Sequence, residues 1–356
     1  MNSPNFNNKA GGQTSAFVLF RFPEEENLQF WQGKITENPD TNSYFIFSPF
    51  CTQEHTPKLF LEEKNCHIQT FTLEDSIFKI DFLNNFFSDF FSNLKFDLFK
   101  DFSNNDFSTY QKKFKDIQRD LVENNISKIV LSHRLFFPNI LDVFKSFEQL
   151  LKNFNNTLVY LFYSPISGLW MGASPELLLE KDNNLLKTTA LAGTKNVTEI
   201  WTEKEKKEQF FVTDFIEGIL KKNQLKNYQK TEPYTFSYGV LNHLKTDFTV
   251  EIPENFNEME FLKALHPTPA VCGIPQYTTY DFLKNNEKYR DYYTGFLGQI
   301  NSEKSKIFVN LRCAKIEKNH FYLYAGGGVT LESELEKEWQ EIQNKLKNLE
   351  KHLVYA

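Results

Sequence analysis

Tyr324-Ala-Gly-Gly-Gly-Val-Thr-Leu-Glu-Ser-Glu-Leu-Glu-Lys-Glu-Trp-Gln-Glu-Ile-Gln-Asn-Lys345 passes from an apolar run to a highly charged one. The pattern predicts a strand over 320–325, a break at Gly326, Gly327 and Gly328, and a long polar helix from near Ser333 to about Leu353. Glycines between a strand and a helix let the backbone approach a ligand closely. In the helix, Glu338 and Glu341 stand three apart and Lys345 follows four later, so the three share one face. Such a set holds a hard cation and an anionic ligand together, or it is a solvated face laced with ion pairs. A second Glu-x-x-Glu pair, Glu205 and Glu208, favours the first reading. Two pairs from distant parts of the chain suit one Mg²⁺, which takes carboxylate oxygens and keeps waters.

The remaining composition is that of a globular protein. The 356 residues suffice for one large domain or two ordinary ones. Strands and helices interleave without a linker, a repeat or a sharp composition break, so an α/β domain of the α+β type is expected over 16–356. Residues 1–15 are polar and Asn/Gly-rich, the composition of a disordered tail rather than of a signal peptide. A net charge of −6 argues against a nucleic-acid partner, and no apolar run is long enough to span a membrane. Four cysteines without Cys-x-x-Cys spacing read as buried, reduced thiols of a cytoplasmic protein.

Working back along the chain, 16–22 and 44–47 read as strands, 71–107 as helical pieces and loops, and 110–124 as an amphipathic helix carrying Phe114, Ile117 and Leu121 on one face. Lys128-Ile-Val-Leu-Ser132 begins a strand in which Lys128, Val130 and Ser132 share one face. Lys128 either snorkels to water or, desolvated at a sheet end, has the lowered pKa of a base. A helix over 140–154 and a strand over 157–163 lead to the Ser-Pro-Glu corner. There Glu176 is either an exposed turn carboxylate or a buried carboxyl with the raised pKa of a general acid.

The strand 185–194 ends in Ala192-Gly193-Thr194, small residues that admit close backbone approach, with a hydroxyl that can donate. Thr202 is a candidate N-cap for a helix over 203–222. Glu205 completes a capping box there, a structural explanation that weakens it as a metal ligand more than Glu208. After a strand over 240–250, His266-Pro-Thr-Pro-Ala-Val-Cys-Gly-Ile-Pro275 reads as a rigid pocket wall; His266, without a second His at ligand spacing, is more often structural. A helix over 278–289 precedes strands over 296–300 and 306–316. Arg312 inside the second needs an anion: an internal carboxylate or a ligand's.

Eight segments now stand in order: Lys-Ile-Val-Leu-Ser, Ser-Pro-Glu-Leu-Leu-Leu, Ala-Leu-Ala-Gly-Thr, His-Pro-Thr-Pro-Ala-Val-Cys-Gly, Tyr-Tyr-Thr-Gly-x-x-Gly, Leu-Arg-Cys, Ala-Gly-Gly-Gly and Glu-Trp-Gln-Glu-x-x-x-Lys. The set resembles the chorismate-utilising enzymes over about 125–349: isochorismate, salicylate, anthranilate and aminodeoxychorismate synthases. The lysine at 128 and the Ala-Leu-Ala-Gly-Thr and His-Pro-Thr-Pro segments look more like the isochorismate synthases than the anthranilate synthases.

The resemblance implies two large, mostly antiparallel sheets stacked with helices outside. It implies Mg²⁺-dependent conversion of chorismate to isochorismate, serving menaquinone or siderophore and salicylate synthesis. In that reaction Lys128 activates water for attack at ring C2 and Glu176 protonates the departing C4 hydroxyl. Glu208 and Glu341 bind Mg²⁺, with Glu205 and Glu338 as outer partners. Tyr293, Arg312, the backbone at Gly326 and Gly327, and Lys345 surround the enolpyruvyl carboxylate, and Ala192, Gly193, Thr194 and His266 complete the substrate-facing set. Water as nucleophile implies no amidotransferase subunit, and a monomer is expected. A sister salicylate- or anthranilate-type activity, or a non-catalytic chorismate-binding subunit, stands as the alternative. The chain departs from the family in Gln209, where Glu-His is common. It departs again in a short, divergent region before Tyr110, which implies no large feedback-inhibition segment.

Overall fold

The computed structural model describes residues 15–73, 77, 80–93, 107–287 and 289–356. The expected tail, apart from Ser15, and much of 71–107 lie outside them. Four strands come first: β1 (Ser15–Arg21), β2 (Asn27–Thr36), β3 (Tyr44–Ser48) and β4 (Leu59–Thr72). Helices α1 (Asp81–Asn93) and α2 (Phe107–Glu123) lead to β5 (Lys128–Phe137) and α3 (Val143–Asn153). A run of strands follows: β6 (Leu158–Ser164), β7 (Gly168–Ser174), β8 (Leu177–Asp182) and β9 (Leu185–Asn196). After α4 (Glu203–Lys222) come β10 (Gln229–Lys230), β11 (Tyr234–Tyr238) and β12 (Leu241–Glu251). Next are α5 (Glu258–Leu265), β13 (Gly273–Ile274) and α6 (Gln276–Asn286). The chain then forms β14 (Phe296–Ile300), β15 (Lys304–Val309), β16 (Cys313–Ile316), β17 (Phe321–Val329) and α7 (Leu335–Glu350).

Every pairing is antiparallel, and the strands form one continuous ladder. Its order is β12, β9, β8, β15, β14, β3, β4, β2, β1, β6, β7, β16, β17, β5, β13, with β10 and β11 both on the outer side of β12. The ladder folds over so that its two halves face each other. Phe47 of β3 lies 4.4 Å from Phe162 of β6, and Phe45 lies 4.9 Å from Phe20 of β1, centroid to centroid. An aromatic core of these residues with Trp31, Tyr160, Trp170 and Tyr292 fills the space between the halves. Many of the phenylalanines therefore serve the core. The two stacked sheets implied by the resemblance are present as layers, but β2 and β4 join them into one sheet. Those two strands carry charged and partly exposed stretches, such as Glu63 to Asn65, that hide the alternation of a strand.

The helices pack on the outer faces. On one side α1, α2, α3 and α7 cover β1, β5, β6 and β17, and α2 buries Tyr110, Phe114, Ile117 and Leu121 as its spacing predicts. On the other, α4 and α5 cover β8, β9 and β12 through Val212, Ile216, Leu220, Phe261 and Leu265. The start of α4 agrees with the sequence reading: Thr202 and Glu205 form the capping box, and the Thr202 backbone N–H donates to Glu205 Oε2 at 2.8 Å. Helix α3 begins later than expected, because Asp142 caps it by accepting from the Lys145 N–H.

Two expectations fail locally. The strand into the three glycines does not break: β17 continues to Val329, with Gly326, Gly327 and Gly328 paired to Ser132, Leu131 and Val130 of β5. The glycines clear the strand's face. A Cβ at Gly328 would stand 2.5 Å from Lys128 Cε, and one at Gly326 would stand 3.0 Å from the Tyr293 hydroxyl. The single strand expected over 306–316 is two strands, and Arg312 sits in the break between them with φ +50°. A bulky residue in this left-handed region is strained.

Candidate active site

Two chain crossovers make the cleft. The chain passes from β7 in one half of the sheet to β8 in the other through Pro175 and Glu176, and from β15 back to β16 through Asn310, Leu311 and Arg312. The crossovers are tied to each other: the Val309 N–H donates to the Glu176 carbonyl at 3.0 Å, the Ala173 N–H donates to the Arg312 carbonyl at 3.1 Å, and the Ser174 hydroxyl donates to the Val309 carbonyl. Asn310 pins the second one, accepting from the Tyr160 hydroxyl at 2.6 Å and donating to the Tyr292 carbonyl at 2.9 Å. Because β16 pairs only with Phe321–Leu323 of β17, the rest of that edge of β17 has no strand neighbour among the described residues. There the cleft opens, about 750 Å³ including space continuous with solvent.

Lys128, Glu176, Ala192, Gly193, Thr194, Glu208, Tyr293, Arg312, Gly326, Glu341 and Lys345 all line this cleft. They come from β5, both crossovers, β9, α4, β17, α7 and the loop before β14. Lys128 is buried, with its stem in the space that Gly328 leaves free. Glu176 is only 3% exposed. Burial pushes its carboxyl up to about 8, against the opposing pull of the Thr268 hydroxyl, which donates to Oε1 at 3.5 Å, and of the Lys128 charge. Of the two readings of the Ser-Pro-Glu corner, the exposed turn is therefore excluded, and the group carries a proton near neutral pH.

Arg312 is buried, and its partners are not carboxylates. It donates to the Lys345 carbonyl at 3.4 Å and to His243 Nε2 at 3.3 Å, and its guanidinium lies 5.0 Å from the centre of the Tyr238 ring. Burial pushes the pKa of His243 down to about 3, with Arg312 and Lys345 acting in the same direction. The imidazole is therefore neutral. Its Nδ1 lies 3.1 Å from the Gly193 carbonyl, which assigns the proton to Nδ1 and leaves Nε2 to accept from Arg312. This arrangement leaves the guanidinium on the cleft wall with no carboxylate hydrogen-bonded to it, Glu341 acting only through its charge, and suits it to a ligand carboxylate. Lys345 is already engaged, paired with Glu341 at 2.6 Å and donating to the Gly326 carbonyl at 2.8 Å.

The carboxylates of the two Glu-x-x-Glu pairs are not equivalent. Glu208 and Glu341 line the cleft, whereas Glu205 and Glu338 do not. Glu205 is used in its capping box, and its Cβ and backbone pack against Gly193, where a Cβ would come within 2.9 Å. Glu338 is buried behind Gly327, ion-paired to Lys204 at 2.7 Å, and accepts from the Ser333 hydroxyl at 2.9 Å. Its Oε2 is buried and has no hydrogen-bond partner among the described residues. Burial pushes the Glu341 carboxyl up, but Lys345, Lys204 and Lys128 together outweigh it and hold the group below its ordinary value. Among the described residues no three His, Cys, Asp or Glu groups converge as a metal cluster. Two cleft-facing carboxylates nevertheless fit Mg²⁺, which commonly takes one or two protein carboxylates and completes its shell with water and substrate oxygens. Gln209 clamps the neighbouring strand: it accepts from the Ala192 N–H at 3.0 Å and donates to the Ala190 carbonyl and the Thr246 hydroxyl.

Two further expected residues lie off the cleft. His266 is buried, lies 2.8 Å from the Thr294 carbonyl through Nε2, and is pushed down by burial to about 4. Gly327 faces α7. Sequence reasoning missed His243, Thr268 and Lys204. The first two lie on a strand and a proline loop that carry no charge pattern, and the third looks like one more lysine in a polar helix.

The family described as "Chorismate binding enzyme" matches residues 79–354. Isochorismate synthase MenF of Haemophilus influenzae is 28% identical over 245 residues, covering 65% of this chain and 57% of that protein. Isochorismate synthase EntC of Escherichia coli K12 is 30% identical over 210 residues, covering 54% of each. The chain thus spans a little over half the length of these curated relatives. The solved structure of MenF, the menaquinone-specific isochorismate synthase of Escherichia coli, superposes with a TM-score of 0.73 at 20% identity, covering 96% of this chain and 89% of that one. This likeness establishes a shared fold.

Proposed function

The chain belongs to the chorismate-binding enzymes, and from that membership and the chemistry of the cleft we propose that it isomerises chorismate to isochorismate. The observation that carries the reading is Glu176, a carboxyl held protonated up to about pH 8 in the cleft that Lys128 also lines. Exchanging hydroxyls across an allylic ring takes one base and one acid working together near neutral pH. Lys128 takes a proton from the water that adds at C2. Glu176 gives a proton to the C4 hydroxyl, which leaves as water as the ring double bonds shift. Solvent then returns both groups to their starting states. Glu208 and Glu341 would hold Mg²⁺, which would supply positive charge for the ring carboxylate. Arg312, held by His243, receives the enolpyruvyl carboxylate, with Tyr293 beside it. The small residues Ala192, Gly193 and Gly326 let the ring approach the backbone. Lys345 orients Glu341 and steadies the open edge of β17.

Since water is the nucleophile, the protein acts without an amidotransferase subunit and as a monomer. Its product feeds menaquinone or siderophore synthesis. Four unpaired thiols suit the cytoplasm. The decisive experiment is incubation of the purified, folded chain with chorismate and Mg²⁺, followed by chromatography. Isochorismate is the expected main product. Salicylate or anthranilate as the main product would overturn the reading in favour of a sister activity. Chorismate binding by calorimetry without any product would replace it with a binding subunit.

A further inference from the structure

Behind the acidic corner of the cleft stands a cation that does not itself line it. Lys204, in the first turn of α4, reaches across to Glu338 in the first turn of α7, and this pair bridges the two helices. The partners differ sharply in exposure. The Glu338 side chain is 1% exposed and fixed by Ser333, whereas the Lys204 side chain is 44% exposed on a four-carbon stem. Lys204 satisfies only Oε1, and the other carboxylate oxygen is buried and idle. That oxygen sits beside Gly327, where even a Cβ would stand 3.6 Å away. Burial pushes the Lys204 ammonium down, but Glu338, Glu341 and Glu208 pull it above its ordinary value, so its charge answers to three carboxylates and not to one. With Lys345 paired to Glu341, those three carboxylates leave a net charge of −2 that a divalent ion balances, and Lys128, which also acts on Glu341, adds to the positive side. With Lys204 as well the corner carries excess positive charge, and like charges in a partly desolvated site repel strongly.

We propose that Lys204 is a displaceable counter-cation. It neutralises Glu338 while the protein is free of metal, and it is driven into solvent when Mg²⁺ enters the corner. The inference rests on the metal reading given above. Its consequence is that the link between the starts of α4 and α7 opens as the metal arrives. An outward Lys204 would also release Oε1 of Glu338, which then keeps only the bond from the Ser333 hydroxyl.

The test uses the full chain without substrate. Brief labelling with an amine-acetylating reagent, read by mass spectrometry with and without MgCl₂, should show a several-fold rise at Lys204. Lys206 and Lys207, exposed on the same helix, serve as unresponsive references. Unchanged or reduced labelling of Lys204, with Mg²⁺ uptake shown by calorimetry, would overturn the inference and leave the metal reading intact. Lys204→Met removes the competing charge and should tighten Mg²⁺ binding by roughly tenfold, the scale of one partly screened like charge. It should also lower the metal-free melting temperature, which Mg²⁺ then restores. Equal or weaker Mg²⁺ affinity in Lys204→Met sinks the inference alone. Absence of Mg²⁺ uptake by both proteins removes the metal reading and the inference together.

Discussion

Replacing Glu176 by Gln keeps the shape and a hydrogen-bond donor but abolishes the deliverable proton. The structure sets the scale. Burial carries the carboxyl from its ordinary 4.5 to about 8. At pH 7 about nine-tenths of the molecules then hold the proton, against about one in 300 for an ordinary Glu, a difference worth about 5 kcal/mol. Proton delivery in the transition state contributes about two to four orders of magnitude. Glu176→Gln should therefore lose that much in kcat while its calorimetric affinity for chorismate stays near that of the parent, because the neutral amide mimics the neutral acid. Chromatographic rates across pH add a second arm. The parent should decline above about pH 8 as the acid is lost, and the variant should lack that limb.

Stability gives a third arm. The folded pKa lies above the unfolded one, so the contribution of Glu176 to stability is complete below 4.5 and is lost as pH rises through about 8. Glu176→Gln should thus gain in melting temperature relative to the parent between pH 5 and pH 9. A variant that keeps most of its rate, or a melting difference that does not change with pH, would refute the reasoning.

Lys128→Ala should lose turnover yet still bind chorismate, and excess Mg²⁺ should not rescue it. Glu341→Ala should instead weaken Mg²⁺ and, with it, chorismate binding, with partial rescue by Mg²⁺, as titration calorimetry would show. Gly328→Ala places a Cβ 2.5 Å from Lys128 Cε; displacing Lys128, the proposed base, should lower kcat by about a hundredfold, with a nearly unchanged melt, since the strand pairing remains. Thr268→Val removes a donor that favours the ionised form of Glu176, so the alkaline limb of the rate profile should move to higher pH.

What the sequence disclosed follows the range of the interaction concerned. The capping box of α4 was legible to the residue because Thr202 and Glu205 settle it within one turn. The face of α2 was legible because three apolar residues, Phe114, Ile117 and Leu121, repeat at helical spacing. The three glycines misled because the same residue type serves two ends: it breaks a strand, and it also clears a strand's face for a neighbour. Only the position of Lys128, across the ladder on β5, decides between them. The break at Arg312 had no local sign at all, since the residues around it are those of a strand. Its cause is the crossover, held by Tyr160 from 150 residues away. His243 and Gln209 were unreadable for the same reason, because their partners lie on other elements. The pairings of β2 and β4 that merge the two layers likewise depend on neighbours and not on pattern.

The two crossovers have a kinetic meaning. Glu176 and Arg312 stand on the only stretches where β7–β8 and β15–β16 change from one half of the sheet to the other, and each stretch is held by bonds to the other. Strands separated by more than a hundred residues must pair before either side chain is in place, and pairings of that range form late because loop closure precedes any reward. During refolding, helical signal and even much of the aromatic packing should return before catalysis does. Recovery of turnover would then clock the last long-range closure of the ladder, and a truncated chain lacking β15 to β17 would lose Arg312 outright and leave the crossover of Glu176 without the strand that holds it.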